Sequence, residues 1–340
     1  MRLVTRVAPC IALAALIAPR GAPDGPGPRT ARLTVRATHA DRAVGFYDPR
    51  LRRVVLVGGA ADAKHGARDA VWSWSAARWE LETDSGPPSR ANAAAAYDAR
   101  RAVAVVAGGA GRAADDSSWT VGGETWEGSS PAAWRRGADM PPRDHHAVVA
   151  ACDGAVLMFG GIPAGGAAPW PTDTWVLGGD RWTRVASDGP PGRARAALAY
   201  DAKRGQVVLF GGVSAPAGPD GAQTFLHDTW IWDGARWRQA TANGPRGRYA
   251  HAMAYDERAG VVLLYGGSAA HAGAPLTDMW QWDGVRWTEI ALSGASPGFR
   301  YQPVMVHDRA RGRTVLHGGL QGSRGETWEW DGRRWRAIGP

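Results

Sequence analysis

The sequence predicts an all-β fold, a six-bladed β-propeller with four antiparallel strands in each blade. Glycine pairs follow apolar runs six times along the chain, at successive spacings of 50, 52, 51, 55 and 52 residues. Each pair precedes a loop of variable length and then two tryptophans seven residues apart. A repeat of about 50 residues with four short strands is typical of propeller blades. The composition agrees, since 46 Gly, 23 Pro and 18 Trp in 340 residues suit tight turns and bulky fillers.

The repeated residues mark six units. The glycine pairs are Gly58-Gly59, Gly108-Gly109, Gly160-Gly161, Gly211-Gly212, Gly266-Gly267 and Gly318-Gly319. The tryptophan pairs are Trp72/Trp79, Trp119/Trp126, Trp175/Trp182, Trp230/Trp237, Trp280/Trp287 and Trp328/Trp335. A third tryptophan follows the first by two residues in four repeats, at Trp74, Trp232, Trp282 and Trp330, so the scheme leaves only Trp134 and Trp170 in loops, and Trp134 then lies in a long connection between two blades.

Repeat five shows the first half of a blade. Residues 250–255 form the first strand, and residues 256–260 form a turn. Val261–Tyr265 is a continuous apolar run, which predicts a second strand that is buried on both faces. Gly266-Gly267 ends this strand, where the lack of a side chain permits close backbone approach.

The second half of the blade is a hairpin. Met279–Trp282 forms the third strand, Asp283-Gly284 supplies a tight turn, and residues 286–290 form the fourth strand. The same turn position is filled in other repeats by Asp233-Gly234, Asp331-Gly332, Gly122-Gly123 and Gly178-Gly179.

These features resemble the kelch family, including the central propeller of the galactose-oxidase type. The resemblance rests on the apolar strand that ends in Gly-Gly, the variable loop and the later Trp pair, and it covers residues 38–340. The Asp-Thr-Trp-x-Trp-Asp-Gly segment at residues 228–234 looks like uncharacterised bacterial kelch proteins, although many family members have tyrosine in the third strand. The resemblance implies the fold strongly and the function weakly, because propellers host many activities.

The N-terminal segment predicts export. Arg2 and Arg6 precede a short apolar stretch, which favours a signal peptide or signal-anchor over residues 1–22, followed by a Gly/Pro-rich lead-in at 23–37 and the propeller at 38–340. We expect a secreted, periplasmic or cell-surface protein and a monomer. Removal of this segment leaves Cys152 as the only cysteine, so packing rather than a disulfide must stabilise the fold.

One repeated arginine is the candidate ligand-binding feature. It stands where the first strand begins in five repeats, at Arg90, Arg143, Arg193, Arg248 and Arg300. Kelch first strands line the central channel, so the resemblance implies a partial ring of arginines at one channel mouth. Guanidinium groups favour carboxylate, phosphate or sulfate ligands. The alternative is that each arginine pairs with carboxylates or carbonyls of its own blade.

Other polar residues predict structural roles. Trp134 and Trp170, outside the repeat, are candidates for carbohydrate stacking, and Trp134 is the one favoured for a ligand site. Asp173, Asp228, Asp278 and Glu326 recur before a tryptophan of the repeat, which indicates bonding within the fold, because an active site is normally built once. His146 and His251 lie in repeats three and five, which are not neighbours, so we predict hydrogen bonding rather than a metal site. We predict no metal and no other cofactor.

Two functions of different classes remain open. The favoured one is a non-catalytic module that binds a protein or glycan partner, with an anionic partner as one form. The alternative, implied by the kelch resemblance, is a sugar-modifying enzyme of the sialic-acid mutarotase type. A copper radical oxidase is disfavoured, because Cys152 lies in a first strand and the further domains of those enzymes are absent. Nucleic acid is not expected, since the basic residues form no Lys/Arg block despite a net charge of +8.

Overall fold

The computed structural model describes residues 43–58, 69–112, 118–151, 154–217, 220–240, 243–271, 275–319 and 325–339. The predicted signal segment, the lead-in and Cys152 lie outside these residues. Within them every regular element is a β-strand. This confirms the all-β prediction.

The first half of the chain forms three four-stranded sheets and smaller pairings. Sheet 1 comprises β1 (Val44–Asp48), β2 (Arg53–Val57), β3 (Val71–Trp74) and β4 (Trp79–Thr83). There follow β5 (Arg90–Ala91), β6 (Ala94–Asp98), β7 (Val103–Ala107), β8 (Ala110–Arg112), β9 (Trp119–Val121), β10 (Thr125–Ser130) and β11 (Ala133–Arg136). Strands β6, β7, β10 and β11 form sheet 2, and β5, β8 and β9 form a three-stranded sheet.

Next come β12 (Arg143–Asp144), β13 (Ala147–Ala150), β14 (Val156–Phe159), β15 (Ile162–Pro163), β16 (Thr174–Gly178) and β17 (Arg181–Ala186). Sheet 3 contains β13, β14, β16 and β17, while β12 pairs with β15.

The second half repeats the pattern. It contains β18 (Arg193–Ala194), β19 (Ala197–Asp201), β20 (Gln206–Phe210), β21 (Val213–Ser214), β22 (Thr229–Trp232) and β23 (Trp237–Ala240). Sheet 4 consists of β19, β20, β22 and β23, and β18 pairs with β21. Sheet 5 consists of β24 (Ala252–Asp256), β25 (Val261–Tyr265), β26 (Met279–Trp282) and β27 (Trp287–Ile290). Sheet 6 consists of β28 (Val304–Asp308), β29 (Arg313–His317), β30 (Thr327–Trp330) and β31 (Trp335–Gly339).

The six four-stranded sheets are antiparallel meanders arranged in a cycle. Their first strands contact one another in succession, β1 with β6, β6 with β13, β13 with β19, β19 with β24 and β24 with β28. Strand β28 also contacts β1, so the succession returns to its start. This is the arrangement of a β-propeller with the first strands innermost.

The hydrophobic core lies between neighbouring sheets. The second strand of sheet 5, β25, has four of its five residues buried, as its apolar run predicts. Its Val262 and Leu264 pack with Phe210 and Ile231 of sheet 4 in one cluster. The ring is therefore stabilised by the burial of one sheet face against the next.

Tryptophans of the fourth strands link the sheets through hydrogen bonds. The indole Nε1 of Trp287 in sheet 5 donates to Thr229 Oγ1 in sheet 4 at 2.9 Å, and both side chains are buried. Equivalent bonds run from Trp182 to Thr125, from Trp237 to Thr174 and from Trp79 to Thr327. Sheet 5 has Met279 in place of this threonine, and Trp335 Nε1 is buried without a hydrogen-bond partner among the described residues.

The expected boundaries of repeat five shift at its start. The first strand begins at Ala252 rather than at residue 250, because Ala250 has a positive φ of 56° and the chain turns there. Its far end is a turn in which Asp256 Oδ1 accepts hydrogen bonds from the backbone N–H groups of Arg258 and Ala259 at 3.0 Å. The fourth strand begins at Trp287, one residue later than expected.

The predicted register of repeat two is wrong. Trp126 lies in the third strand, β10, and Trp134 lies in the fourth strand, β11, whereas Trp119 belongs to the small three-stranded sheet. The two tryptophans of sheet 2 are therefore eight residues apart, because the β10–β11 register shifts between Gly128 and Ser130. Gly122-Gly123 precedes the third strand and is not its hairpin turn.

Candidate functional site

The five arginines of the sequence prediction form ion pairs within their own sheet units. All five are buried or nearly so, with side chains between 0% and 7% exposed. Their closest N–O distances are 2.7 Å for Arg90–Glu124, 3.0 Å for Arg143–Asp173, 2.6 Å for Arg193–Asp228, 2.7 Å for Arg248–Asp278 and 2.8 Å for Arg300–Glu326. The local-pairing alternative describes this geometry. Ligand binding by these groups stays a prediction, and their carboxylate partners leave them poorly suited to it.

The partner carboxylates complete a repeated network. Burial alone would raise the pKa of Asp228, but its hydrogen bonds with Arg193 lower that pKa overall. The indole of Trp230 also donates to Asp228 at 2.7 Å, and Arg193 donates to the carbonyl of Gly211 at 3.0 Å. One arginine thus fastens the start of a first strand to the glycine pair and to the third strand of the same unit.

Trp134 is held by its own hairpin rather than displayed in a loop. Its indole Nε1 donates to the carbonyl of Pro131 at 2.7 Å, and its half-buried ring packs beside the core between sheets 1 and 2. The stacking role of Trp134 stays a prediction. The register error had placed this residue in a loop between blades, whereas it lies in the fourth strand of sheet 2. The other extra tryptophan, Trp170, is 6% exposed.

A second repeated position, two residues after each of the five arginines, lies at the channel mouth. Asn92, His145, Arg195, Ala250 and Gln302 occupy this position, and all have φ between 52° and 56°. The left-handed region is uncommon for residues other than glycine. Backbone hydrogen bonds pass from one to the next, from His145 N to Asn92 O (3.0 Å), Arg195 N to His145 O (2.9 Å), Ala250 N to Arg195 O (2.9 Å) and Gln302 N to Ala250 O (2.8 Å). We call these five residues the mouth ring. Its backbone is fixed by these bonds, so its chemistry is carried by its side chains.

A cavity of about 170 Å³ opens at the mouth ring. Residues from all six sheet units line it, namely Ala43, Val44, Asn92, Ala93, His145, His146, Arg195, Ala196, Ala250, His251, Gln302 and Pro303. Typical small-molecule sites have about 300–1,000 Å³. This cavity therefore suits one small group, about the size of a single sugar ring.

Arg195 is the cation of this cavity. Its Nη1 donates to the hydroxyl of Tyr301 at 2.5 Å, and its guanidinium lies 5.6 Å from the ring centre of Tyr249 and 5.8 Å from that of Tyr301. Its Nε is buried without a hydrogen-bond partner, and among the described residues no carboxylate forms an ion pair with it. Burial raises the pKa of Tyr301, so this phenol stays neutral. Arg195 is thus positioned to receive an anion.

Histidines supply the remaining ionisable groups of the cavity lining. His145 Nδ1 lies 3.1 Å from Asp144 Oδ1. Burial, together with the neighbouring cations Arg143 and Arg248, lowers the pKa values of His146 and His251 to about 3. Both rings are therefore neutral at physiological pH, and each lies against a carbonyl of the preceding sheet, that of Ala107 or Phe210.

The sequence held a signal for this site that the arginine pattern obscured. The fixed arginine is followed, two residues later, by a position that varies among the sheets as Asn, His, Arg, Ala and Gln. Fixed residues at repeated positions build the scaffold, whereas a variable position inside a fixed context is where a repeat protein places its ligand contacts. The matching residue of repeat one is Arg42, which lies outside the described residues.

Two features are absent from the described residues. They contain no helix that is long and apolar enough to cross a membrane. Nor do the described parts of the chain bring three or more His, Cys, Asp or Glu side chains together in a group that could hold a metal ion.

Comparison with known proteins supports the fold. No family model and no curated protein matches the chain. Among solved structures, the structure of YjhT is similar with a TM-score of 0.65 and 13% sequence identity, over 90% of this chain and 99% of that chain. At this identity the likeness shows the fold alone, and it is consistent with a kelch-like propeller.

Proposed function

We propose that the chain is a six-bladed kelch-type propeller whose mouth ring binds a carboxylate-bearing sugar and interconverts its anomers, as a mutarotase does. The observation that carries this proposal is Arg195, a cation without a carboxylate partner among the described residues, in a cavity of sugar-ring size. The kelch resemblance contributes the reaction class, since sialic-acid mutarotases are propellers of this size.

Binding follows from the side chains of the mouth ring. The planar guanidinium of Arg195 is suited to a sugar carboxylate. Asn92 and Gln302 carry amides that both donate and accept hydrogen bonds, as sugar hydroxyls require. Ala250, between Arg195 and Gln302 in the ring, leaves space for the ligand.

His145 is the residue proposed for proton transfer. Mutarotation breaks the bond between the anomeric carbon and the ring oxygen, with a proton added to the ring oxygen and another lost from the anomeric hydroxyl to water. The open-chain carbonyl compound then rotates and closes again by the reverse steps. The imidazole of His145, whose Nδ1 lies 3.1 Å from Asp144 Oδ1, lines the cavity and is the group that would donate and recover the proton on the ring oxygen.

The test is the rate at which one pure anomer equilibrates, followed by proton NMR after it is dissolved with the protein. The sugars are N-acetylneuraminic, galacturonic and glucuronic acid, with glucose as the uncharged control. We expect faster equilibration of an acidic sugar, loss of binding by at least tenfold in Arg195→Gln, and slower equilibration with nearly unchanged affinity in His145→Asn. His227→Ala, an exposed histidine away from the mouth, is the matched control and leaves both quantities unchanged.

A non-catalytic binding module is the second candidate. It is favoured by one observation, that no Asp or Glu is among the twelve residues that line the described cavity. Binding of an acidic sugar without any change in anomer exchange would support this candidate over the enzyme. No binding of any acidic sugar would overturn both uses of the mouth ring. Export from the cytoplasm, a protein partner and a monomeric state remain proposals from the sequence.

A further inference from the structure

Four aromatic side chains form a continuous row beside Arg195. The ring centres of His271 and Phe225 are 4.9 Å apart, those of Phe225 and Tyr249 are 5.4 Å apart, and those of Tyr249 and Tyr301 are 5.5 Å apart. The guanidinium of Arg195 lies over the Tyr249 and Tyr301 rings. We call these four side chains the aromatic row. Tyr249 is buried at 3% exposure in a core cluster, Phe225 and Tyr301 are half-buried, and His271, which also lies 5.7 Å from Tyr249, is exposed, so the row reaches the surface at Phe225 and His271.

The row lies on one side of the mouth only. Tyr249 and Tyr301 directly precede Ala250 and Gln302 of the mouth ring, in sheet units 5 and 6. The residues at the same place in units 2, 3 and 4 are Ala91, Asp144 and Ala194. A feature needed to close the propeller would recur in every unit. Because the aromatic row lies on one side only, it extends from the mouth in one direction.

The outer end of the row comes from loops that follow the second strands. Phe225 bridges to Val213 in the loop of sheet 4, and His271 follows Ser268, which bridges to Tyr249. These pairings hold the loops against the lead-in segments of the mouth ring. Phe225 and His271 are thus the supported part of the row that solvent reaches, with Arg195 and the cavity at its inner end.

We propose that the ligand is a short acidic oligosaccharide that enters by its reducing-end uronic acid, with the next sugar lying on the aromatic row. This inference rests on the proposed function of the mouth ring. The cavity of about 170 Å³ holds one sugar ring, so any second ring must lie outside it. Aromatic faces bind the apolar C–H faces of sugars, and Arg195 fixes the carboxylate of the first ring. An apolar protein partner is disfavoured, because the row ends at a guanidinium without an ion-pair partner among the described residues.

The experiment compares galacturonic acid with its dimer and trimer by isothermal titration calorimetry. We expect the dimer to bind about tenfold more tightly than the monomer, which is the size of a single good aromatic contact. The trimer gains little beyond the dimer, because the described row ends at His271. Equal affinities for monomer and dimer would overturn the inference and leave the proposed function standing.

Variants locate the second sugar. Phe225→Leu keeps an apolar side chain of similar size and removes the ring face, and His271→Ala removes the exposed outer ring. We expect each to reduce the dimer's advantage by threefold or more, while the affinity for the monomer is unchanged. His227→Ala, two residues from Phe225 but in a different surface depression, is the control. A dimer advantage that survives both variants would place the second sugar elsewhere and overturn the inference. Failure of monomer, dimer and trimer alike to bind would overturn the proposed function itself.

Discussion

Arg193 and Arg195 are separated by a single alanine, yet their guanidinium groups have different surroundings. Arg193 is fully buried and pairs with Asp228 at 2.6 Å, whereas Arg195 faces the cavity and bonds to a phenol. The difference follows from the left-handed backbone at Arg195, which ends the lead-in pairing of β18 and directs the chain around the mouth. The sequence pattern singled out the repeated Arg193, whereas the arginine that lines the cavity is Arg195.

Buried histidines make the stability of the fold depend on pH. Burial holds the pKa values of His146, His251 and His317 at about 3 in the folded protein, below the ordinary value of 6.5 that applies after unfolding. Above pH 6.5 these rings are neutral in both states. As the pH falls below 6.5, these histidines bind protons in the unfolded state, whereas the buried rings of the folded state stay neutral. We expect the free energy of unfolding to decrease between pH 6.5 and 3, by up to about 1.4 kcal/mol per pH unit for each ring.

The substitution His251→Ala tests this dependence, because alanine already stands at the matching positions Ala93 and Ala196. The groups that act on His251 are Arg248, Asp278 and the carbonyl of Phe210. We expect the slope of unfolding free energy against pH, measured by urea denaturation from pH 6 to 4, to shrink by about 1 kcal/mol per pH unit. The exposed His271→Ala serves as the control and should leave the slope close to that of the wild type. An unchanged slope in His251→Ala would show that other groups cause the acid sensitivity.

At the scale of the sheets, the four strands of repeat five could be predicted from the sequence to within one or two residues at their starts. Strict alternation, Gly-Gly ends and the seven-residue Trp spacing all report local geometry that does not depend on distant contacts. Sheet 2 breaks the spacing, since its third and fourth strands shift in register near Gly128. The better signal was the motif Glu124-Thr125-Trp126, which matches Asp228-Thr229-Trp230 of sheet 4. Glu124 of this motif pairs with the repeated Arg90, and Thr125 accepts a hydrogen bond from Trp182 of the next sheet. The motif therefore marks the third strand more reliably than the tryptophan spacing does.

The repeated arginine acts at this scale, because it fastens the lead-in of a sheet to its third strand. Arg248 donates to both oxygens of Asp278 at 2.7 Å and to the carbonyl of Gly266 at 3.1 Å. We expect Arg248→Met to destabilise the fold by about 3 kcal/mol, measured by denaturant unfolding, because it leaves a half-buried carboxylate and a carbonyl without partners. Exposed Arg246→Met should change stability by less than about 0.5 kcal/mol. The double variant Arg248→Met with Asp278→Asn should recover part of the loss; no recovery would mean that packing, not the ion pair, is what Arg248 provides.

At the scale of the molecule, the succession of six units could be predicted, but the mouth ring could not. The repeat period fixes how many sheets form and which strands lie innermost, because each sheet must bury its faces against its neighbours. The variable position after each arginine is visible in the sequence, but the ring that these residues form depends on a left-handed backbone in units 2 to 6 and on hydrogen bonds between units about 50 residues apart, which no local pattern reports. The aromatic row was missed for the same reason, since Phe225, Tyr249 and Tyr301 lie in three units and meet only in the closed ring.

Closure of the ring depends on side chains at one interface. Sheet 1 is built from residues 44–83 and sheet 6 from residues 304–339, so among the described residues no strand is exchanged between the two ends of the chain. Trp74 Nε1 of sheet 1 donates to Glu329 Oε1 at 2.7 Å, and Trp79 Nε1 donates to Thr327 Oγ1 at 2.9 Å and to His317 Nδ1 at 3.1 Å. Among the described residues, every other interface between adjacent sheets is also crossed by the chain itself, whereas this one is crossed only by contacts.

We therefore expect Trp79→Phe and Trp237→Phe to have similar local costs and different global effects. Each removes an indole donor to a buried threonine, Thr327 or Thr174, and each should cost about 1–3 kcal/mol. Only Trp79→Phe weakens the interface that no described segment of the chain spans, so it should allow sheets 1 and 6 to separate before the rest unfolds. Hydrogen exchange measured by mass spectrometry should then be accelerated in β1 and β28 of Trp79→Phe, while β13 and β19 remain protected in Trp237→Phe. Equal protection of these strands in the two variants would mean that the ring has no preferred opening site. The interface between sheets 1 and 6 would then be as stable as the others.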